Sequence, residues 1–109
     1  MGNKAKLIGR AFGLSGLLKY QPGAIVSKEI AKKDTGTVTL FAFDKAQGLS
    51  EHTAPFDALI YIVDGRAGIK IAGRPSIVKK GEMIIMPANK PHAVKALAKF
   101  KMLLIMIRA

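Results

Sequence analysis

The chain has 109 residues, half of them apolar, which is enough for one hydrophobic core and too little for two independent domains. It contains no cysteine, so disulfides, thiolate nucleophiles and sulfur-bound zinc are excluded, and histidine and carboxylate remain as the strong metal ligands. The formal net charge is +11, but it is unevenly spread: +6 over residues 1–33, −4 over 34–65 and +9 over 66–109.

The first 23 residues read as a lead segment, helical or irregular, ahead of a domain spanning 24–109. Its apolar stretch from Ala11 to Leu18 follows Arg10 and has no small-residue cleavage site after it, so it reads as part of the folded protein rather than a signal peptide. No apolar run approaches the ~20 residues needed to span a bilayer, so no membrane association is expected. A reducing, cytoplasmic setting is expected from the lack of cysteine.

Pro22-Gly23 is a turn signal that ends the lead, and Ala24 to Ile30 follows as the first expected strand. Asp34-Thr35-Gly36 turns the chain into Thr37 to Phe43, where Thr, Val and Phe suit a pleated, half-buried surface. Ala58 to Val63 is the next strand, and Asp64-Gly65 reads as a hairpin turn before Ala67 to Ile71. Ala72-Gly73 turns the chain towards Ile77-Val78, Lys80-Gly81 precedes Met83 to Met86, and Ala93 to Leu97 and Phe100 to Ile107 close the domain. Seven or eight short strands without a helical period after residue 20 argue for an all-β sandwich or barrel.

Three strands are apolar at every position: 58–63, 83–86 and 102–107. Successive side chains point to opposite faces, so both faces of these strands need cover. Tyr61 belongs to the outward set. The lead segment offers little material, and a homodimer packed through outer sheet faces is the expectation.

His52 and His92 are the only histidines. His52 opens a stretch that runs through Ala54, Asp57 and Ala58 to Gly65, and His92 ends one that runs from Gly81 through Pro87 and Asn89. Together they resemble the two motifs of the cupin superfamily: His-x-His followed by Glu and Gly, then Gly, Pro-x-Gly, His and Asn. Gly65, Gly81, Pro87 and His92 fall at matching spacings between Gly48 and Ala96.

The resemblance implies a single-domain jelly-roll β-barrel. It also implies a metal centre of three histidines and one glutamate inside the barrel, of which this chain keeps His52 and His92. Ala54 stands in the place of the second histidine, Ala58 in that of the glutamate, Asn89 in that of the second motif's glycine and Ala96 in that of its asparagine. His52, His92, Ala54 and Ala58 are therefore expected to line a ligand pocket, with His52 and His92 as an incomplete ligand set for Mn, Fe, Ni or Zn. Strand alternation directs Asp57, the nearest downstream carboxylate, away from the interior.

The function this favours is binding of a small ligand, or of a weakly held divalent metal, in the barrel interior. The alternative is a metal-dependent enzyme of the dioxygenase, isomerase or decarboxylase class acting on a small organic acid or sugar. Nucleic acid is not an expected partner despite the net charge: aromatic residues are only 6% of the chain and no groove-reading motif is present.

Overall fold

In the computed structural model, which describes residues 7–108, nine strands form two facing antiparallel sheets. The strands are β1 (Ile25–Lys33), β2 (Gly36–Phe43), β3 (Gly48–His52), β4 (Asp57–Asp64), β5 (Arg66–Ile71), β6 (Arg74–Lys79), β7 (Met83–Met86), β8 (His92–Ala96) and β9 (Phe100–Ile107). The five-stranded sheet has the order β1-β2-β9-β4-β7 and the four-stranded sheet β3-β8-β5-β6.

Alternation explains the core. Phe41 and Phe43 on β2, Ala58, Ile60 and Ile62 on β4, and Phe100 and Met102 on β9 face inward from the larger sheet; Ala67, Ile69, Val78, Val94 and Ala96 meet them from the smaller one. The rings of Phe43 and Phe100 stack with centroids 4.5 Å apart and an interplanar angle of 12°. Both are fully buried.

Eight of the strands lie where the sequence places them, with ends shifted by a few residues. β3 is the addition. Its burial runs exposed, half-buried, then exposed three times, so only Leu49 gives an apolar signal and no alternation is visible.

Asp64-Gly65 differs from the sequence reading. β4 pairs with β7 and β9, whereas β5 pairs with β6 and β8, so this turn is not a hairpin but the corner where the chain leaves one sheet for the other. Gly65 has φ +73°, and a side chain there would strike the carbonyl of Lys99 and come within 2.9 Å of Phe100 Cα. A hairpin and a sheet-crossing corner both require positive φ, which is why the dipeptide does not distinguish them. Ala72-Gly73, by contrast, is a true two-residue hairpin turn, with both residues at positive φ between the paired Ile71 and Arg74.

From Ile8 on, the expected lead segment is irregular apart from one turn of 3₁₀ helix over Ser15–Leu17; residues 1–6 of it lie outside the described residues. It crosses the outer face of the five-stranded sheet. Lys101, with its side chain outward on β9 yet only 7% exposed, donates from Nζ to the Ser15 carbonyl at 2.6 Å. Tyr20 donates its hydroxyl to Asp64 Oδ2 at 2.6 Å. Burial, and then the bond to Asp64, push the Tyr20 phenol well above its ordinary range. The ammoniums of Lys99 and Lys101 lie 5.1 and 4.9 Å from the Tyr20 ring centroid. Leu40 and Ala42, on the same outer face as Lys101, are fully buried.

Among the described residues this cover stops part-way across the sheet. Towards β7 the outer face stays open: Met83 is 50%, Ile85 58% and Ile107 56% exposed. Tyr61, as expected from alternation, is on this side, paired with Leu103 and Met83. Among the described residues no helix is long and apolar enough to cross a membrane.

Candidate functional site

The two histidines come from segments 40 residues apart and meet as direct cross-strand partners, His52 ending β3 and His92 opening β8. Two backbone links hold these segments together. The Asn89 N–H donates to the Ala54 carbonyl at 2.7 Å, and the Ala88 N–H donates to Asp57 Oδ1 at 2.9 Å. Asn89 has φ +63°, a left-handed conformation that asparagine tolerates in place of glycine.

His92 is buried, at 4% exposure, while His52 is exposed. Their ring centroids are 4.4 Å apart at an interplanar angle of 71°, and the two Nε2 atoms stand 3.2 Å from each other. Each ring is oriented by the same local contact, to the carbonyl two residues earlier: His52 Nδ1 to Ser50 O at 2.8 Å, and His92 Nδ1 to Lys90 O at 3.2 Å.

Those contacts decide where the protons are. A carbonyl oxygen only accepts, so each Nδ1 carries the hydrogen and donates it. A neutral imidazole has one N–H, which leaves both Nε2 atoms with bare lone pairs 3.2 Å apart. Such a pair repels unless a cation lies between or beside them, either a proton shared by the two rings or a metal ion.

The His92 ring resists taking up such a proton. Burial pushes the His92 imidazole below its ordinary value of 6.5, and the charge of His52 pushes it further, against the opposing effect of the Lys90 carbonyl. The metal matches the spacing: two nitrogens ~2.0–2.1 Å from a tetrahedral ion are about 3.3–3.4 Å apart.

The sign of the resulting pH dependence follows. His92 titrates lower in the folded chain than in the unfolded one, so the unfolded state takes up the proton first as the medium is acidified. Its contribution to stability is complete above the ordinary imidazole value of 6.5 and is lost as pH falls from there through the folded value. Metal-free protein should therefore melt at lower temperature in mildly acid than in neutral buffer, and His92→Gln should show a shallower dependence in the same scans. An unchanged slope in the variant would remove His92 as its source.

The other two expected site residues carry no donor. Ala58 is buried on the inner face of β4, flanked across the sheet by Met86 and Met106; Ala54 is half-buried after β3. Asp57 is committed to the Ala88 amide, and Glu51 is exposed. Among the described residues no three His, Cys, Asp or Glu side chains gather as a metal-holding group.

Sequence reasoning missed Thr37. It lies on the inner face of β2 as the cross-strand partner of Met106, and its Oγ1 is buried with no hydrogen-bond partner among the described residues. An orphaned buried hydroxyl calls for an explanation such as a water or a ligand. Its only sequence signal is the alternation that places Thr37 and Thr39 on the same face as Phe41 and Phe43. The sequence also anticipates a widened pocket at the histidines, yet a cavity of about 890 Å³ opens elsewhere, on the outer face of the four-stranded sheet.

The family model described as a cupin domain matches residues 39–108, which includes both histidine segments and seven of the nine strands. This chain is a member of the cupin superfamily. Among solved structures it is similar to a conserved protein of unknown function from Streptococcus pyogenes, with 30% identity over 93% of this chain and 89% of that one, at a TM-score of 0.89. It is also similar to a cupin 2 conserved barrel domain protein from Leptotrichia buccalis, with 44% identity over 89% of this chain and a TM-score of 0.86. The match spans about half of that longer protein, 47%. A cupin superfamily protein from Desulfitobacterium hafniense is 27% identical over 93% of both chains, at a TM-score of 0.88. No curated protein matches.

As a cupin, the chain combines a complete jelly roll with a reduced donor set. Judged by donor chemistry, His52 and His92 fit two positions on a metal ion, and the residues at 54 and 58 fit none.

Proposed function

We propose that this cupin binds a small ligand at the His52–His92 pair, with a weakly held divalent ion as the bridge between protein and ligand. The observation that carries this reading is the close pair of Nε2 atoms on rings held by the carbonyls of Ser50 and Lys90. Two imidazoles supply two of the four to six donors a divalent ion takes, so water or ligand oxygens complete the shell. When bound, the ion would act as a Lewis acid towards a ligand oxygen. The protein's part is to present two neutral nitrogens at fixed spacing.

Isothermal titration of the metal-free protein with Mn, Fe, Ni and Zn tests it. The expected result is weak binding of one ion per chain, strongest for the metals that favour imidazole, Ni and Zn. Absence of heat with all four would overturn the metal-bridged reading. Redox chemistry is disfavoured as the function, because the family's carboxylate position is Ala58 and among the described residues no carboxylate joins the pair in its place. The absence of cysteine agrees with a reducing, cytoplasmic setting.

The homodimer belongs to the same proposal. The outer face of β7, β4 and β9 presents Met83, Ile85, Leu103, Ile105 and Ile107, with Asp57 at its edge opposite Ile107, and residues 7–23 of the lead leave it open. A second copy placed by two-fold symmetry would cover this strip with its own equivalent. Light scattering at micromolar concentration should give twice the chain mass, and Ile85→Glu should return it to one. A monomeric wild type would refute the dimer.

A further inference from the structure

The cavity on the outer face of the four-stranded sheet is separate from the histidines and is not used by the reading above. We propose that it binds an anionic amphiphile: an aliphatic chain ending in a carboxylate, of the fatty-acid class.

The strand register explains how the groove forms. One row across the sheet reads Gly48, Lys95, Gly68, Ile77, and the next sets Ala93 beside Lys70. Gly48, Gly68 and Ala93 carry no long side chain, so a low floor remains around the stems of Lys95 and Lys70. Leu97 lies over one side, 3.5 Å from where a Cβ on Gly68 would be, and Ile77 stands at the other with 63% of its surface exposed. The space between them is about 890 Å³, within the roughly 300–1,000 Å³ of small-molecule sites.

Charge selects the occupant. Lys70 and Lys95 both line the groove, and no acidic residue does. Both lysines are exposed, and neither ammonium has an ion-pair partner among the described residues. An apolar body fits the floor and walls while a carboxylate meets the ammoniums. A second copy of the chain suits the groove poorly, since two-fold pairing through this face would set lysines against lysines with no carboxylate to offset them. The groove therefore differs in kind from the strip on the opposite sheet, whose centre holds no lysine.

Dodecanoate below its micelle-forming concentration is the probe, and 1-dodecanol is the uncharged control. Titration of the full chain, followed by backbone amide NMR, should show saturable binding of one dodecanoate that moves resonances of β5, β6 and β8. Lys70→Ala combined with Lys95→Ala should weaken dodecanoate about tenfold or more and leave dodecanol unchanged. Gly68→Val should block both molecules. Should Gly68→Val fail to fold, Ile77→Glu serves instead, since that position is largely exposed, and it should weaken dodecanoate at least as much as the lysine pair does. Dodecanoate binding that is indifferent to the lysines, or amide shifts on the five-stranded sheet instead, would overturn the assignment. A change of oligomeric state in Ile77→Glu would overturn it too, in favour of a second copy in the groove.

Discussion

Replacing His92 by alanine is expected to reduce zinc affinity at least about a hundredfold, since even residues that only orient a metal ligand commonly cost ~10–100-fold when removed. With one of two protein donors gone, the remaining imidazole is no better than an exposed surface histidine. His52→Ala should have the same consequence for metal but a different one for the fold. His52 is exposed, so its removal leaves no interior void, whereas His92 is 4% exposed and its truncation opens space beside Ile71, its neighbour on β5. The pair of variants thus separates the two roles. Isothermal titration reads the shared loss of zinc, and thermal melting reads a destabilisation confined to His92→Ala. Retention of zinc by either variant would show that the ion does not sit on the pair.

Phe100→Ala carries the largest expected loss of stability in the chain, about 3–5 kcal/mol, the usual cost of emptying a buried aromatic site. Phe100 is fully buried, stacks on Phe43, and lies directly under the Gly65 corner that passes the chain between sheets. Its removal leaves a cavity where the two sheets are tied together, and the backbone at Gly65 has no side chain with which to fill it. A domain of this size holds ~5–15 kcal/mol in total, so the variant should unfold at a much lower denaturant midpoint. The exposed Ile77 provides the contrast, with Ile77→Ala expected within about 0.5 kcal/mol of the parent. Urea unfolding followed by far-UV circular dichroism measures both. Near-parental stability of Phe100→Ala would mean that the Phe43–Phe100 stack is not central to the core.

These energies bear on how much of the molecule can be read from its residues. Strands that pack on both sides, such as β4 with Ala58 to Val63 and β9 with Met102 to Ile107, announce themselves as unbroken apolar runs. β3 does not, because its outward face borders an open groove and only Leu49 reaches the core. The Gly65 corner shows a different limit. Local chemistry fixes the backbone angle, but the choice between returning within a sheet and crossing to the other depends on which strands become neighbours, and that is settled by packing. The lead segment is similar: nothing in its sequence indicates that Ser15 will accept from a lysine buried on β9, or that Tyr20 will donate to Asp64.

At the site, the resemblance of the His52 and His92 segments to the two cupin motifs implies that they meet, and the register makes them opposite partners. Their protonation pattern could not be expected in the same way. It is imposed by the carbonyls of Ser50 and Lys90, and every residue type carries a carbonyl, so the sequence holds no mark of it. The Thr37 hydroxyl was hidden for a related reason, since a threonine in a strand reads equally well inward or outward until the sheet is assembled.

The central claim is that both Nε2 atoms are bare and wait for one cation. Nitrogen-15 NMR of the two rings at neutral pH, before and after one equivalent of zinc, tests it directly. The account predicts that both rings carry the proton on Nδ1 in metal-free protein and that both Nε2 signals shift together on adding zinc. A ring protonated on Nε2 and donating to the other, or a zinc response confined to one ring, would contradict it.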